Sequence, residues 1–83
     1  MTKNDLLELV AFALDLDEVD ESASMNNLDD WDSLGHLSIL TSIDKKLQGK
    51  ASSISGLASA TSISSIITLL KDNNLIDEWN FYR

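Results

Sequence analysis

The chain contains no cysteine, no proline and one histidine, and its fourteen acidic residues outnumber six basic ones. Without cysteine there is neither a disulfide framework nor a thiolate metal site, and a single histidine leaves little for zinc. The net charge of −8 argues against a nucleic-acid partner, because phosphates are contacted by clusters of Lys and Arg. We therefore expect no metal and no nucleic acid, and we expect basic protein surfaces as partners.

Long apolar runs are also missing. The 83 residues make one small domain, which buries too little surface for both a large core and a deep active site, so an enzyme is disfavoured. The apolar stretches are too short to span a bilayer, and residues 1–5 lack the basic and apolar regions of a signal peptide. We expect a soluble, cytoplasmic monomer without a membrane span.

Apolar residues recur at helical spacing in three places, which predicts helices over about 3–15, 33–48 and 62–73. The segment between the last two is rich in Ser, Ala and Gly, and we expect one short turn near 56–60. No alternation of period two persists. The predicted fold class is all-α, a small three- or four-helix bundle with a long loop between helices 1 and 2. The tail, residues 74–83, holds three of the five aromatic residues and is expected to pack onto the bundle.

Particular residues support these helix ends. Thr2 and Asp5 have the spacing of a capping pair, and Thr61 or Ser62 can cap the last helix. Gly49 is a credible stop for the second helix. Each predicted helix therefore has at least one local signal besides its apolar period.

Ser33 has the most distinctive setting of the twelve serines, because an acidic loop becomes a helix there. A hydroxyl in the first turn lies where unpaired N–H groups and the helix dipole favour an attached phosphate. The alternative is that Ser33, or Asp32 before it, is only an N-cap. Residues 1–44 carry eleven acidic side chains against Lys3 alone, so the candidate site lies in the acidic half of the chain.

In its order of elements the sequence resembles the acyl carrier protein family over about residues 3–73. The motif is Asp32-Ser33-Leu34 at the start of the second helix, and residues 31–37 are most similar to stand-alone carriers. The resemblance implies that a phosphopantetheinyl transferase attaches 4′-phosphopantetheine from coenzyme A to Ser33. Acyl or aminoacyl groups would then travel as thioesters between loading and transferring enzymes, while the carrier itself catalyses nothing.

The resemblance also implies recognition residues. Asp32 and Leu34 would be read by the transferase, and Leu37, Thr41 and Asp44 by other partner enzymes. The possible contacts with a bound acyl chain are His36, Leu40, Ile43, Leu47, Ile63 and Ile67.

The second helix departs from the family pattern. Many members place several glutamates there, whereas this chain has Ser38, Asp44, Lys45 and Lys46. The acidic docking face is thinned, so we expect a dedicated biosynthetic pathway rather than general fatty-acid synthesis.

Two other functions compete with a carrier. In the first, the chain is a non-covalent acidic helical adaptor for a basic protein, and Asp32-Ser33-Leu34 is only a helix cap. In the second, Ser33 and His36 form a minimal hydrolase, which is disfavoured because the sequence supplies neither an orienting group nor an oxyanion hole. Modification of Ser33 separates the carrier from both alternatives.

Overall fold

A computed structural model describes residues 1–76 of the chain. It contains three α-helices and two short 3-10 turns in the order α1 (Lys3–Ala13), α2 (Ser33–Lys46), the turns Lys50–Ser53 and Leu57–Ser59, and α3 (Ile63–Asp72). Within this part of the chain there is no strand, only an isolated bridge between Ser24 and Ser62. The protein is a small helical bundle, which confirms the predicted all-α class. The expected packing of the tail from residue 77 onward lies outside the described residues.

Each α-helix begins at a side chain that accepts a backbone N–H. The Thr2 hydroxyl accepts from the Asp5 N–H at 3.1 Å, and the Asp5 carboxylate accepts from the Thr2 N–H at 3.0 Å, which is a complete capping box. Asp32 caps α2, and Ser62 rather than Thr61 caps α3. The short polar residues ahead of the apolar periods therefore set where the helices start.

The helix C-termini share one geometry. After each helix a non-glycine residue adopts the left-handed conformation, namely Asp15 (φ 60°), Gln48 (φ 59°) and Asn74 (φ 58°). The next N–H then bonds back to a carbonyl in the last turn, for example Gly49 N to Asp44 O at 2.8 Å, as in a Schellman motif. These turns end α1 and α2 two residues before the predicted positions 15 and 48.

The core lies where the three helices meet. Its completely buried aliphatic side chains are Leu6, Val10, Ile39, Ile43, Ile63, Ile66 and Leu70. The acidic loop contributes Trp31, which is 1% exposed, and the segment after α2 contributes Ile54 and Leu57. Burial of these large apolar groups is the main favourable contribution to folding.

The long acidic loop is held against the start of α3. Met25 N donates to Thr61 O at 2.9 Å, and Ile63 N donates to Ala23 O at 3.0 Å. Within the loop, the hydroxyl and N–H of Ser22 both donate to the Asp20 carboxylate, and these bonds lower the pKa of Asp20. The loop therefore reaches the start of α2 as a tethered segment.

None of the helices within residues 1–76 combines the length and hydropathy needed to cross a membrane.

Candidate functional site

Ser33 is the first residue of α2, and its side chain is exposed. The Asp32 carboxylate caps the helix by accepting the Gly35 N–H at 2.8 Å. Within residues 1–76 the Ser33 hydroxyl forms no hydrogen bond, and the N–H groups of Ser33 and Leu34 lack acceptors, as the first N–H groups of a helix do. The capping function therefore belongs to Asp32, and the Ser33 oxygen is available at the positive end of the helix dipole.

Gly35 allows the start of α2 to lie close to its neighbours. A Cβ atom at this position would lie 2.6 Å from the Asp30 carbonyl oxygen and 2.7 Å from a methyl group of Leu14. Any larger residue would push the first turn of α2 away from the loop and from the end of α1. We did not identify Gly35 from the sequence, although a glycine in the first turn of a helix is itself a signal of close packing.

His36 is buried and bonded at both ring nitrogens. Its Nδ1 accepts the indole N–H of Trp31 at 3.0 Å, and its Nε2 lies 2.8 Å from the Ala58 carbonyl oxygen. Since an indole nitrogen can only donate, Nδ1 is the acceptor and Nε2–H is the donor. The histidine thus connects the acidic loop, α2 and the second 3-10 turn, and neither nitrogen is available to Ser33.

An exposed apolar stripe runs along α2 from the Ser33 end. Leu34 is 76% exposed and Leu37 is 60% exposed, and Thr41 continues the stripe one turn further. A groove of about 440 Å³ beside Leu37 and Thr41 is also lined by Lys45 and by Phe12 of α1. Phe12 is 85% exposed, and sequence reasoning missed it because it falls off the apolar face of α1.

The residues expected to contact a bound acyl chain do not lie together in the structure. Ile43 and Ile63 are fully buried in the core, while Leu47 and Ile67 are half-buried and pack against it. Only Leu40 of the expected set lines a cleft of about 330 Å³ between α2 and the two 3-10 turns. The opposite wall of this cleft comes from the turn segment rather than from α3, because α3 uses its apolar face for the core.

Asp44, expected to meet partner enzymes, is half-buried on the wall of the same cleft. Its Oδ1 atom is buried and has no hydrogen-bond partner among the described residues. Asp32, by contrast, is exposed beside Ser33. The two acidic residues, which the resemblance assigns to different partners, thus occupy different surroundings.

Among residues 1–76, no group of three or more His, Asp or Glu side chains is arranged to hold a metal ion. No family model, curated protein or solved structure matches the chain.

Proposed function

We propose that this protein is a carrier of acyl or aminoacyl groups, bound as thioesters to a 4′-phosphopantetheine arm on Ser33. The observation that carries the proposal is that Asp32 caps α2 while the adjacent Ser33 hydroxyl remains unbonded within residues 1–76. Asp32 makes the capping hydrogen bond to Gly35 N, so the exposed Ser33 hydroxyl is not needed as a cap. An unengaged hydroxyl at the first position of a helix suits attachment of a phosphate.

The residues around Ser33 fit such a group. The N–H groups of Ser33 and Leu34 lack acceptors among the described residues, and both can donate to phosphate oxygens. The exposed Leu34 offers an apolar contact next to the attachment point. When bound, the group supplies the thiol that this cysteine-free chain lacks.

The attachment reaction is a phosphoryl transfer. The Ser33 oxygen forms a bond to the phosphorus that bears pantetheine, and the P–O bond of the coenzyme A pyrophosphate breaks. Adenosine 3′,5′-bisphosphate leaves, and a base of the transferase takes the hydroxyl proton. The role of this chain is to present the hydroxyl with Asp32 and Leu34 on either side.

The environment of His36 argues against the hydrolase. A general base must accept the hydroxyl proton through a ring nitrogen with a lone pair. Here Nδ1 accepts from Trp31 and Nε2 faces the Ala58 carbonyl. His36 would have to leave both partners before it could act on Ser33.

The acidic adaptor is the second candidate, and one observation favours it. The acidic side chains between residues 15 and 32 are all exposed, and Glu21 pairs with Lys3 at 3.2 Å. This surface would attract a basic protein whether or not Ser33 is modified. The adaptor predicts binding that is unchanged by Ser33→Ala and by the arm.

The test is intact-mass spectrometry after incubation with coenzyme A, Mg²⁺ and a phosphopantetheinyl transferase of broad specificity. We expect a gain of one phosphopantetheine group that disappears in Ser33→Ala. The matched control is Ser38→Ala, which changes another exposed serine of α2 and should leave the gain intact. No gain in a folded sample, or a gain that survives Ser33→Ala, would contradict the proposal.

The proposed carrier function also implies particular classes of partner enzyme. A transferase, loading enzymes and acyl-transferring enzymes would meet a monomeric carrier at the start of α2. The resemblance to acyl carrier proteins implies several glutamates in the second helix, whereas this chain has Lys45 and Lys46 there, and this departure supports a dedicated pathway. Transferase binding should weaken as salt rises, because Asp29, Asp30 and Asp32 are exposed near Ser33.

A further inference from the structure

Among residues 1–76, the cleft between α2 and the 3-10 turns is lined by one charged side chain, Asp44. Leu40, Thr41 and Asp44 form one wall of the cleft, and Ala51, Ser52, Ile54, Leu57 and Ala58 form the other. The Asp44 Oδ1 atom is buried and lacks a hydrogen-bond partner among the described residues. Buried polar atoms in native proteins are almost always bonded to protein or to water, so Asp44 has an acceptor that the described side chains leave unsatisfied.

The cleft itself does not provide the donor. The Ser52 hydroxyl, the side-chain donor on the opposite wall, donates to the Gly49 carbonyl at 3.0 Å. The Gly49 N–H is used by the Asp44 backbone carbonyl at 2.8 Å. The Thr41 hydroxyl on the same wall does not bond to Asp44 Oδ1, and the other lining side chains are aliphatic, so Asp44 is a carboxylate at a largely apolar cleft.

The cleft lies within reach of a group attached to Ser33. Along the axis of α2, Leu40 is about 10 Å and Asp44 about 16 Å from Ser33. The hydrogen bond from His36 Nε2 to Ala58 O holds the far wall against α2 one turn before Leu40. An extended arm with two amide units can therefore enter beside Leu40 and place its cargo towards Asp44.

We infer that the cargo of this carrier bears a protonated amine that binds the Asp44 carboxylate, while its apolar portion lies against Leu40 and Leu57. This inference rests on the proposed function and specifies its substrate class as aminoacyl groups. An ammonium is the favoured donor because its hydrogen bonds to a carboxylate are charge-assisted and about twice as strong as neutral ones. A plain acyl chain would bring no donor to Asp44 and would desolvate the rest of its carboxylate.

The first experiment loads the carrier with isosteric cargo pairs. Ser33 is modified by the transferase with coenzyme A derivatives bearing β-alanyl or butanoyl, and 6-aminohexanoyl or heptanoyl, all joined through an amide so that the cargo is not lost. Intact mass establishes loading before any other measurement. We expect the amine-bearing member of at least one pair to raise the thermal midpoint by about 4 °C or more over its apolar isostere, and to shift the amide NMR signals of Asp44 and Ser52.

Two variants assign the effect to one carboxylate. Asp44→Asn keeps the shape of the side chain and should abolish the difference between the members of each pair. Asp29→Asn removes one charge from the exposed loop and should preserve the difference. Equal responses to both members of every pair, or a difference that survives Asp44→Asn, would overturn the inference and leave the carrier function standing.

The second experiment does not depend on modification of Ser33. The unmodified protein is titrated with hexylamine and with 1-hexanol, and binding is followed at the amide signals of Ala51 and Leu57. We expect hexylamine to bind at least several-fold more tightly, with the preference lost in Asp44→Asn. No preference would overturn the amine specificity, whereas absence of a mass gain in the loading reaction contradicts the carrier function itself.

Discussion

The indole N–H of Trp31 donates to Nδ1 of His36 across 3.0 Å, and this bond fixes the tautomer of the histidine. The proton is consequently on Nε2, which faces the Ala58 carbonyl at 2.8 Å. The two rings also stack, with centroids 6.1 Å apart. Through this pair the acidic loop, the start of α2 and one wall of the cleft become a single packed unit.

Replacing Trp31 by Phe should destabilise the protein by roughly 1–3 kcal/mol, because Nδ1 of the buried His36 would lose its donor. Urea unfolding measures the change in the free energy of unfolding. The double variant Trp31→Phe with His36→Leu should cost less than the sum of the single changes, by about 0.5–3 kcal/mol. Phe12→Leu is the control, since Phe12 is 85% exposed and its change should stay within about 0.5 kcal/mol. Strict additivity of the two core changes would argue against the bond.

Gly35→Ala should also destabilise the protein, although alanine is the better helix former. The new methyl group would lie 2.6 Å from the Asp30 carbonyl oxygen and 2.7 Å from Leu14. Such overpacking typically costs about 1–3 kcal/mol, more than the gain in helix propensity. Ser38→Ala, at an exposed position of the same helix, should be neutral or slightly stabilising. If Gly35→Ala unfolds at the same urea concentration as the original chain, the close approach is not maintained in solution.

The capping box should make stability depend on pH at the acidic end. The hydrogen bond from the Thr2 backbone N–H lowers the pKa of Asp5 below its ordinary value of 3.8. A carboxylate with a depressed native pKa stabilises the fold above its unfolded pKa, and this contribution disappears as the pH falls through the native pKa. The original chain should therefore exceed Asp5→Asn in stability at pH 7, and this difference should shrink as the pH falls below 3.8.

Thermal unfolding at a series of pH values measures this difference. Glu8→Gln is the matched control, because Glu8 is an exposed acid on the same helix. A gap between the original chain and Asp5→Asn that stays constant down to pH 2 would contradict the assignment.

The helix starts could be predicted from the sequence, because each depends on a local side-chain cap. Thr2, Asp32 and Ser62 all precede an apolar period, and the structure uses each of them as the cap. The helix ends are harder to predict from the sequence, because Asp15 and Gln48 occupy left-handed positions that glycine usually takes. The residues around them give no signal for that conformation, and both predicted ends lie two residues too far, the end of α2 because it is inferred from Gly49.

Only one part of the candidate site could likewise be predicted from the sequence. Ser33 could be singled out because its neighbours in the sequence are also its neighbours in space. The cleft could not, since its far wall comes from Ala51, Ile54 and Leu57, in a segment whose Ser, Ala and Gly composition has no helical period. The orientation of Asp44 towards that wall and the bond from Trp31 to His36 are tertiary contacts, which periodicity along one helix does not reveal.

The adjacent lysines of α2 should affect partner binding differently, because they face different surroundings. Lys45 lines the groove with Leu37 and Thr41, next to the exposed stripe that begins at Ser33. Lys46 lies on the other side with Asp5 and Glu8 of α1, and its charge contributes to lowering the pKa of Asp5. Only Lys45 is therefore placed to repel a partner enzyme that recognises an acidic second helix.

Lys45→Glu should strengthen binding of the proposed carrier, once modified at Ser33, to a fatty-acid-synthesis enzyme with a basic docking surface by several-fold at low salt. Titration calorimetry at two salt concentrations measures this, and the gain should shrink at high salt because exposed charges are screened. Lys46→Glu is the matched charge reversal, and it should lower stability by placing a third acid near Asp5 and Glu8 while changing the affinity little. Equal gains in affinity from both reversals would mean that net charge, rather than the position of Lys45 beside the Leu37 stripe, determines which enzymes the proposed carrier binds.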